Sequence, residues 1–437
     1  MTQPDRRTFL KQSALGIAGT AVLASTSRVR AGGANDKLVM GLIGCGGRGC
    51  GVAGMFAGVE NVEFAYVCDP DQNRLEAAAR QFSQHGSPKP VSDLRTILDD
   101  PAVDAVLIAT PNHWHAPAGI LACQAGKHAY IEKPCSHNIR EGRLLVEAAR
   151  RNDRVVQHGT QVRSTSTIRE GVRLLREGRI GTVLAAKAWN IQRRGQIGHV
   201  QPGEPPAGFD YDLWCGPAPM MPFRANCHHG SYNWWFDYGS GDIGNDGVHD
   251  IDYARWGLGV ETHPSEIVAL GGKFVFDDDG QYPDTQQVTY LYPGDGSTGS
   301  QRMLIYEQRL WSGNYPYNVD SGAEFYGTAG QMFLSRRGKA QLLGEKNERI
   351  DLEIPLEPQA DAAHVANFVD CVRGGGVPNA EIEIGHLTAS LCHLGNIASR
   401  VGRALKFDPA AERIVGDEEA DRLVGREYRA GHWAMPA

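Results

Sequence analysis

From residue 37 onward, short apolar runs alternate with stretches of helical period. Lys37–Ile43, Val62–Cys68, Asp104–Ala109, His128–Glu132 and Arg154–His158 have the length and residue types of buried strands. Between them, Asp71–Ser83, His115–Ala125 and Ile139–Asn152 repeat apolar residues at helical spacing. Strand alternating with helix predicts an α/β fold, a doubly wound parallel sheet of the Rossmann kind, over residues 36–158. After residue 180 the pattern changes. Val183–Trp189, Glu266–Leu270, Gln287–Tyr292, Arg302–Gln308 and Glu324–Gly327 read as strands without long helices between them. They predict an α+β domain over 159–403 with a large, mainly antiparallel open sheet. Gln192–Ser231, rich in Gly, Pro and aromatics, predicts a long ordered loop; Asn245–Trp256 predicts a helix. Asp361–Arg373 and Ile384–Arg403 are later helices, and 404–437 is a C-terminal tail.

The first run ends in Gly44-Cys45-Gly46-Gly47-Arg48-Gly49, a G-x-G-x-x-G motif. Alone the hexapeptide is weak evidence, but it follows a strand and opens a helix. The next strand ends in Asp69, 20 residues after Gly49. The first glycine permits a tight turn, the second lets backbone approach a pyrophosphate, and the third packs helix on strand. Unsatisfied N–H groups at the helix start face the phosphates. An acid at Asp69 suits the adenosine ribose hydroxyls and repels a 2′-phosphate. NAD is the expected cofactor. Arg74 leaves NADP open.

Further on, Thr110-Pro111-Asn112 leads to His115, then to Ala125-Gly126-Lys127-His128 and Glu132-Lys133-Pro134. With Asp212–Pro219, Phe325-Tyr326-Gly327-Thr328 and Gly385-His386, these stretches resemble the Gfo/Idh/MocA oxidoreductases (glucose–fructose oxidoreductase, inositol dehydrogenase) across nearly the whole chain after residue 31. The resemblance implies that Thr110, Asn112, His115, Glu132 and Lys133 join the glycine loop and Asp69 in binding the cofactor. It also places Lys133 beside the nicotinamide and the hydroxyl being oxidised, where a lysine holds the oxygen and moves its proton.

Gly244-Asn245-Asp246-Gly247-Val248-His249-Asp250-Ile251-Asp252 is similar to the family's D-x-G-x-H-x-x-D stretch. The resemblance makes His249 a second catalytic candidate, a proton acceptor suited by a near-neutral pKa. On a regular helix Asn245, His249 and Asp252 share one face, whereas Asp246 points elsewhere. Asn245 stands where the family has an acid, and an amide cannot raise a histidine's basicity as a carboxylate would. Asn245, Asp246, Asp252 and Trp235 are the candidate substrate contacts. His113, His115, His228 and His229 are pairs without a third ligand, so no metal is expected.

At 437 residues the chain exceeds one ordinary core, and 41% hydrophobic with 22% charged residues is a soluble globular composition. Arg6-Arg7-Thr8-Phe9-Leu10-Lys11 precedes an apolar run from Ala14 to Ala24 and a small-residue exit at Val29-Arg30-Ala31. Residues 1–31 therefore read as a cleavable twin-arginine signal peptide, the run being too short for a stable membrane anchor. The location this predicts is periplasmic. Cleavage would remove five basic residues and one acid, taking the net charge from -7 to -11. No basic block remains, which argues against nucleic-acid partners. Nine cysteines without C-x-x-C spacing predict few disulfides.

The function expected is NAD(P)-dependent oxidation of a hydroxyl on a sugar, sugar derivative or cyclitol, with tightly held cofactor. Two alternatives stand beside it. One is redox-neutral glycoside cleavage through a transient keto sugar; the other is a non-catalytic sugar-binding protein. An open sheet face needs covering, which predicts a homo-dimer or homo-tetramer. The tail, with Tyr428 and Trp433, is a candidate brace for a neighbouring subunit.

Overall fold

The computed structural model describes residues 37–436; the twin-arginine segment, 1–31, lies outside the described residues. Six parallel strands form the first sheet: β1 (Leu38–Ile43), β2 (Val62–Cys68), β3 (Lys89–Val91), β4 (Ala105–Ile108), β5 (His128–Ile131) and β6 (Val156–His158). Their order is β3-β2-β1-β4-β5-β6, and β1 and β4 are buried along nearly their whole length, as helix-covered parallel strands are. Register sets where the strands end. Val91 pairs with Cys68, Cys68 with Ile43, Ile43 with Ile108, and Ile108 with Ile131. The residues just past these positions therefore line up along the carboxyl edge of the sheet, where ligands bind in open α/β folds.

The second sheet has ten strands, including β7 (Val183–Asn190), β8 (Glu266–Gly272), β9 (Thr285–Tyr292), β10 (Arg302–Arg309) and β11 (Ser321–Gly327). Its pairings are antiparallel except β7 with β10. Burial alternates along β8 and β9, so one face packs on helices and the other faces outward. Helices Ser166–Arg176, Val248–Leu258 and Ile382–Val401 contribute to the core on the inner face. Val268 and Leu270 are exposed on β8, at 50% and 79%.

Two elements cross the expected domain boundaries. Helix Asp361–Gly374 lies in the second half of the chain but completes the Rossmann core, with Phe368 edge-on to Phe56 and Tyr130. The tail is no free appendage either. Its strand Leu405–Asp408 extends the large sheet by pairing with β8, and Glu412 accepts hydrogen bonds from Arg143, His263 and His386. All nine cysteines are free thiols, eight of them buried as small hydrophobes. Among the described residues no helix is long and apolar enough to cross a membrane.

Candidate active site

The sheet register produces a cleft along the carboxyl edge. Ser92 follows β3, Asp69 follows β2, the glycine turn follows β1, Thr110 comes after β4, and Glu132 and Lys133 follow β5; all of them line it. Helix Gly47–Ala57 starts there with no side-chain cap, leaving its first N–H groups directed at the space. A Cβ on Gly49 would meet the Gly44 carbonyl oxygen at 1.9 Å, so the third glycine is required for the turn itself. A Cβ on Gly46 would meet only the tip of Arg74, at 3.0 Å, and one on Gly47 nothing within 4 Å. Packing sets the one constraint; open space for a ligand sets the other. These residues fit a dinucleotide: glycine backbone and helix start for the diphosphate, Asp69 for the adenosine ribose, and Lys133 at the far end.

The contrast gives a direct expectation. Gly49→Ala forces the turn apart and costs about 1–3 kcal/mol, seen as a lower denaturation midpoint. Gly46→Val leaves the midpoint nearly unchanged, yet titration should show NAD+ binding weakened on the order of tenfold or more, because the backbone loses its close approach.

Asp69 is buried, its carboxylate accepting from the backbone N–H of Cys45 at 2.8 Å and of Asp71 at 2.9 Å. Burial pushes its carboxyl up and those two bonds oppose the shift. The acid thus braces the glycine turn as well as lining the cleft. Arg48 is held by Glu132 at 2.8 Å and by Asp361 at 2.9 Å. His115 spans the Pro134 carbonyl (2.6 Å) and the Thr110 carbonyl (2.8 Å), tying the segments after β4 and β5 together. The Lys133–Pro134 peptide is cis. Asn112 does not line the cleft. It accepts a hydrogen bond from Ser240 at 2.8 Å and sits behind the wall, which corrects the expected cofactor contact to a supporting one.

Lys133 Nζ donates to the Asn245 carbonyl at 2.5 Å and to its side-chain oxygen at 3.1 Å. Asn245 in turn lines both the cofactor cleft and an adjoining one, so the lysine stands where two ligands would meet. Burial pushes the Lys133 ammonium down, and the Asp246 and Glu132 carboxylates only partly restore it.

The segment after Asp242 departs from a regular helix. Ile243–Gly247 is a π-helical turn that passes into the α-helix Val248–Leu258. One turn of wider winding rotates the side chains ahead of His249, a distortion frequent at functional sites. Asp246 therefore does not point away as the 3.6-residue period predicts. It pairs with Arg194 and Arg336 and lies in electrostatic range of Lys133 and His249. Burial alone would raise its carboxyl; Lys133, Arg336 and Arg194 overcome that and hold it well below the usual range. A carboxylate one residue after Asn245 thus lies near Lys133 and His249, although it lines neither cleft.

Three other expectations are corrected. His249 is 4% exposed, and burial, followed by Arg336 and Lys133, drives its pKa well below the ordinary value. It lines neither cleft, and its Nδ1 is unpartnered. Asp252 is fully buried and grips Arg163 at 2.6 and 3.1 Å while accepting from Thr388 at 2.7 Å, so it joins three segments and contacts no cleft. Trp235 is tucked into an aromatic cluster with its indole N–H on the Asn226 carbonyl, whereas its neighbour Trp234 lines the second cleft. Of the paired histidines, His113 is buried, whereas His229 lines the cofactor cleft. His113 bonds the Trp214 carbonyl at 2.8 Å and His229 the Asp71 carboxylate at 2.9 Å.

Residues 38–160 match the NAD-binding Rossmann fold of the Gfo/Idh/MocA oxidoreductase family, and residues 180–435 match its C-terminal alpha/beta domain. The chain belongs to this family. Among the relatives it matches, glycosyl hydrolase family 109 protein 2 of Shewanella sp. (strain ANA-3) is 32% identical over 209 residues, 42% of this chain. That match spans only 45% of the relative's length. The scyllo-inositol 2-dehydrogenase (NAD(+)) of Bacillus subtilis (strain 168) is 25% identical over 73% of this chain and 81% of its own. Among solved structures, the WlbA dehydrogenase from Bordetella pertussis, in complex with NADH and UDP-GlcNAcA, superposes with a TM-score of 0.64. It is 20% identical, over 85% of this chain and 99% of its own. Levoglucosan dehydrogenase, in complex with NADH and levoglucosan, gives the same TM-score, 0.64, at 20% identity over 85% of this chain and 99% of that one. Such likeness establishes the fold.

Proposed function

We propose that this chain is an NAD-dependent oxidoreductase that oxidises a hydroxyl of a neutral sugar, sugar derivative or cyclitol. The observation that carries the reading is the position of Lys133, at the end of the dinucleotide cleft and bonded to the residue that opens onto the second cleft. Bound NAD+ supplies a hydride acceptor. Two of the three ammonium hydrogens of Lys133 rest on Asn245, which leaves one position for the substrate oxygen. The amine, favoured by burial, takes the hydroxyl proton there as hydride leaves carbon. Asp246 stays ionised throughout and steadies the resulting ammonium.

Substrate charge is read from the second cleft. Among the described residues its one charged lining side chain, Arg194, is paired with Asp242 and Asp246; the rest include Gln196, Asn226, Ser231, Asn233 and Trp234. Amides and a hydroxyl over an indole face suit a neutral polyol, and no unpaired cation among these residues waits for a carboxylate or phosphate.

Activity should depend on pH in one direction. Because the working form of Lys133 is the free amine, kcat/KM for oxidation should rise with pH. It should level off below an ordinary lysine's pKa of about 10.4. A pH–rate profile with NAD+ and an active polyol checks this; a profile falling through the same range would remove Lys133 as base. The same assay separates a second reading suggested by the family 109 relatives, in which oxidation, elimination and re-reduction cleave a glycoside. Oxidation gives a net rise in reduced nicotinamide, whereas cleavage releases a leaving group with none.

Export by the twin-arginine route belongs to the proposal, supported by the Arg6-Arg7 segment. Replacing both arginines with lysine should leave precursor in the cytoplasm. The exposed Val268 and Leu270 on the outer sheet face support a homo-dimer or homo-tetramer, which light scattering of the purified protein would measure.

A further inference from the structure

The C-terminal segment, expected from the sequence to brace a neighbouring subunit, folds back over its own cofactor cleft. Arg140 N–H bonds the Val424 carbonyl at 3.1 Å. Arg426 then reaches the buried Glu141 carboxylate at 2.7 Å and the His113 carbonyl at 2.8 Å, and the Tyr428 hydroxyl joins the same carboxylate at 2.8 Å. Arg429 is tied to the loop that roofs the cleft, through the Pro217 carbonyl and Asp212, both at 2.9 Å. Ala434 is 2% exposed and packs into the Rossmann core. Between these anchors Trp433 lines the cleft. Its ring lies under the Arg95 guanidinium at 4.4 Å and 5.7 Å from the ring of Trp114, which also lines the cleft.

Position along the sheet edge says which part of a dinucleotide this wall would meet. Lys133 follows β5, the glycine turn follows β1 and Asp69 follows β2; Ser92, Asp93 and Leu94 lie beyond, after β3, and Arg95 is the next residue. The end away from Lys133 is the adenosine end, and a half-buried indole there, packed on Arg95 and on the His432 ring at 5.1 Å, puts its remaining exposed surface into the wall a purine would meet.

We infer that Trp433 forms the adenine wall of the cofactor site and that the strap carrying it is a latch slowing cofactor release. The inference rests on the NAD reading above. The latch is part of the chain, anchored at Glu141 and Asp212, and must lift before an adenosine can leave sideways. Cofactor exchange, and with it retention through repeated turnovers, is then set by the strap and not by the catalytic lysine.

Calorimetric titration of the whole protein with NAD+, ADP-ribose and nicotinamide mononucleotide tests this, together with the rate at which bound NADH is displaced by excess NAD+. Trp433→Ala should weaken NAD+ and ADP-ribose by about tenfold or more, the range of aromatic–base stacking, and leave the mononucleotide unchanged. NADH release should quicken by a similar factor. Trp433→Phe should stay close to wild type. Trp433→Leu, which keeps bulk without a ring, should follow alanine and guards against misfolding of the smaller substitution. Equal ADP-ribose affinity in wild type, Trp433→Ala and Trp433→Leu would overturn the latch, as would an equal loss for the mononucleotide. Wild type binding neither NAD+ nor ADP-ribose would overturn the cofactor reading itself.

Discussion

Replacing Lys133 with methionine is expected to lower kcat by about 10²–10⁴-fold while NAD+ affinity stays nearly unchanged. Methionine matches the length of the aliphatic stem, so packing at the mouth of the two clefts survives. What goes is the group that holds the substrate oxygen and takes its proton. Lys133→Arg separates those roles. A guanidinium preserves the charge beside Asp246 but does not release its proton, so arginine should be nearly as slow as methionine. Steady-state kinetics with NAD+ titration on each variant decides the matter. An arginine variant close to wild type would mean that charge, not proton transfer, is the lysine's contribution. A fast methionine variant would place the base elsewhere. His249 would be a poor replacement, since burial and two neighbouring cations lower its basicity and it lines neither cleft.

Asp252→Ala is the second large effect, and it should appear in stability. The side chain holds Arg163 by two bonds and Thr388 by one, all buried. Removing it strands a guanidinium that is 5% exposed, stacked on Trp256 at 4.7 Å, without a counter-charge. Breaking one side of such a pair costs about 3–5 kcal/mol. Denaturant unfolding should show a lower midpoint with little change of slope. In the protein that remains folded, NAD+ affinity and KM for the polyol should be close to wild type. A raised KM at unchanged stability would return Asp252 to the substrate site.

The contrast between these two residues shows how much the sequence could convey. Lys133, Asp69 and the glycine turn are legible because a parallel sheet fixes them by register: the residues after each buried strand must lie on the same edge. Asp246 is misplaced when a 3.6-residue period is carried through a segment that winds as a π-turn, and nothing in Gly244-Asn245-Asp246-Gly247 advertises the wider winding. Asp252 keeps the helical spacing from His249, but spacing reports a face and not what covers it. Here Arg163 and helix Ile382–Val401 do. Trp234 and Trp235 cannot be told apart by pattern because the loop holding them has no period. Trp433 escapes for another reason: the tail's path over the cleft depends on Glu141 and Asp212, some 285 and 217 residues away in the chain.

The central claim is spatial, and a crystal structure of the protein with NADH tests it most directly. Density for the diphosphate should lie against the backbone of Gly46 and Gly47, the adenosine ribose beside Asp69, and the nicotinamide ring next to Lys133 Nζ. A dinucleotide bound elsewhere, or one in this cleft with its nicotinamide turned away from Lys133, would contradict the account.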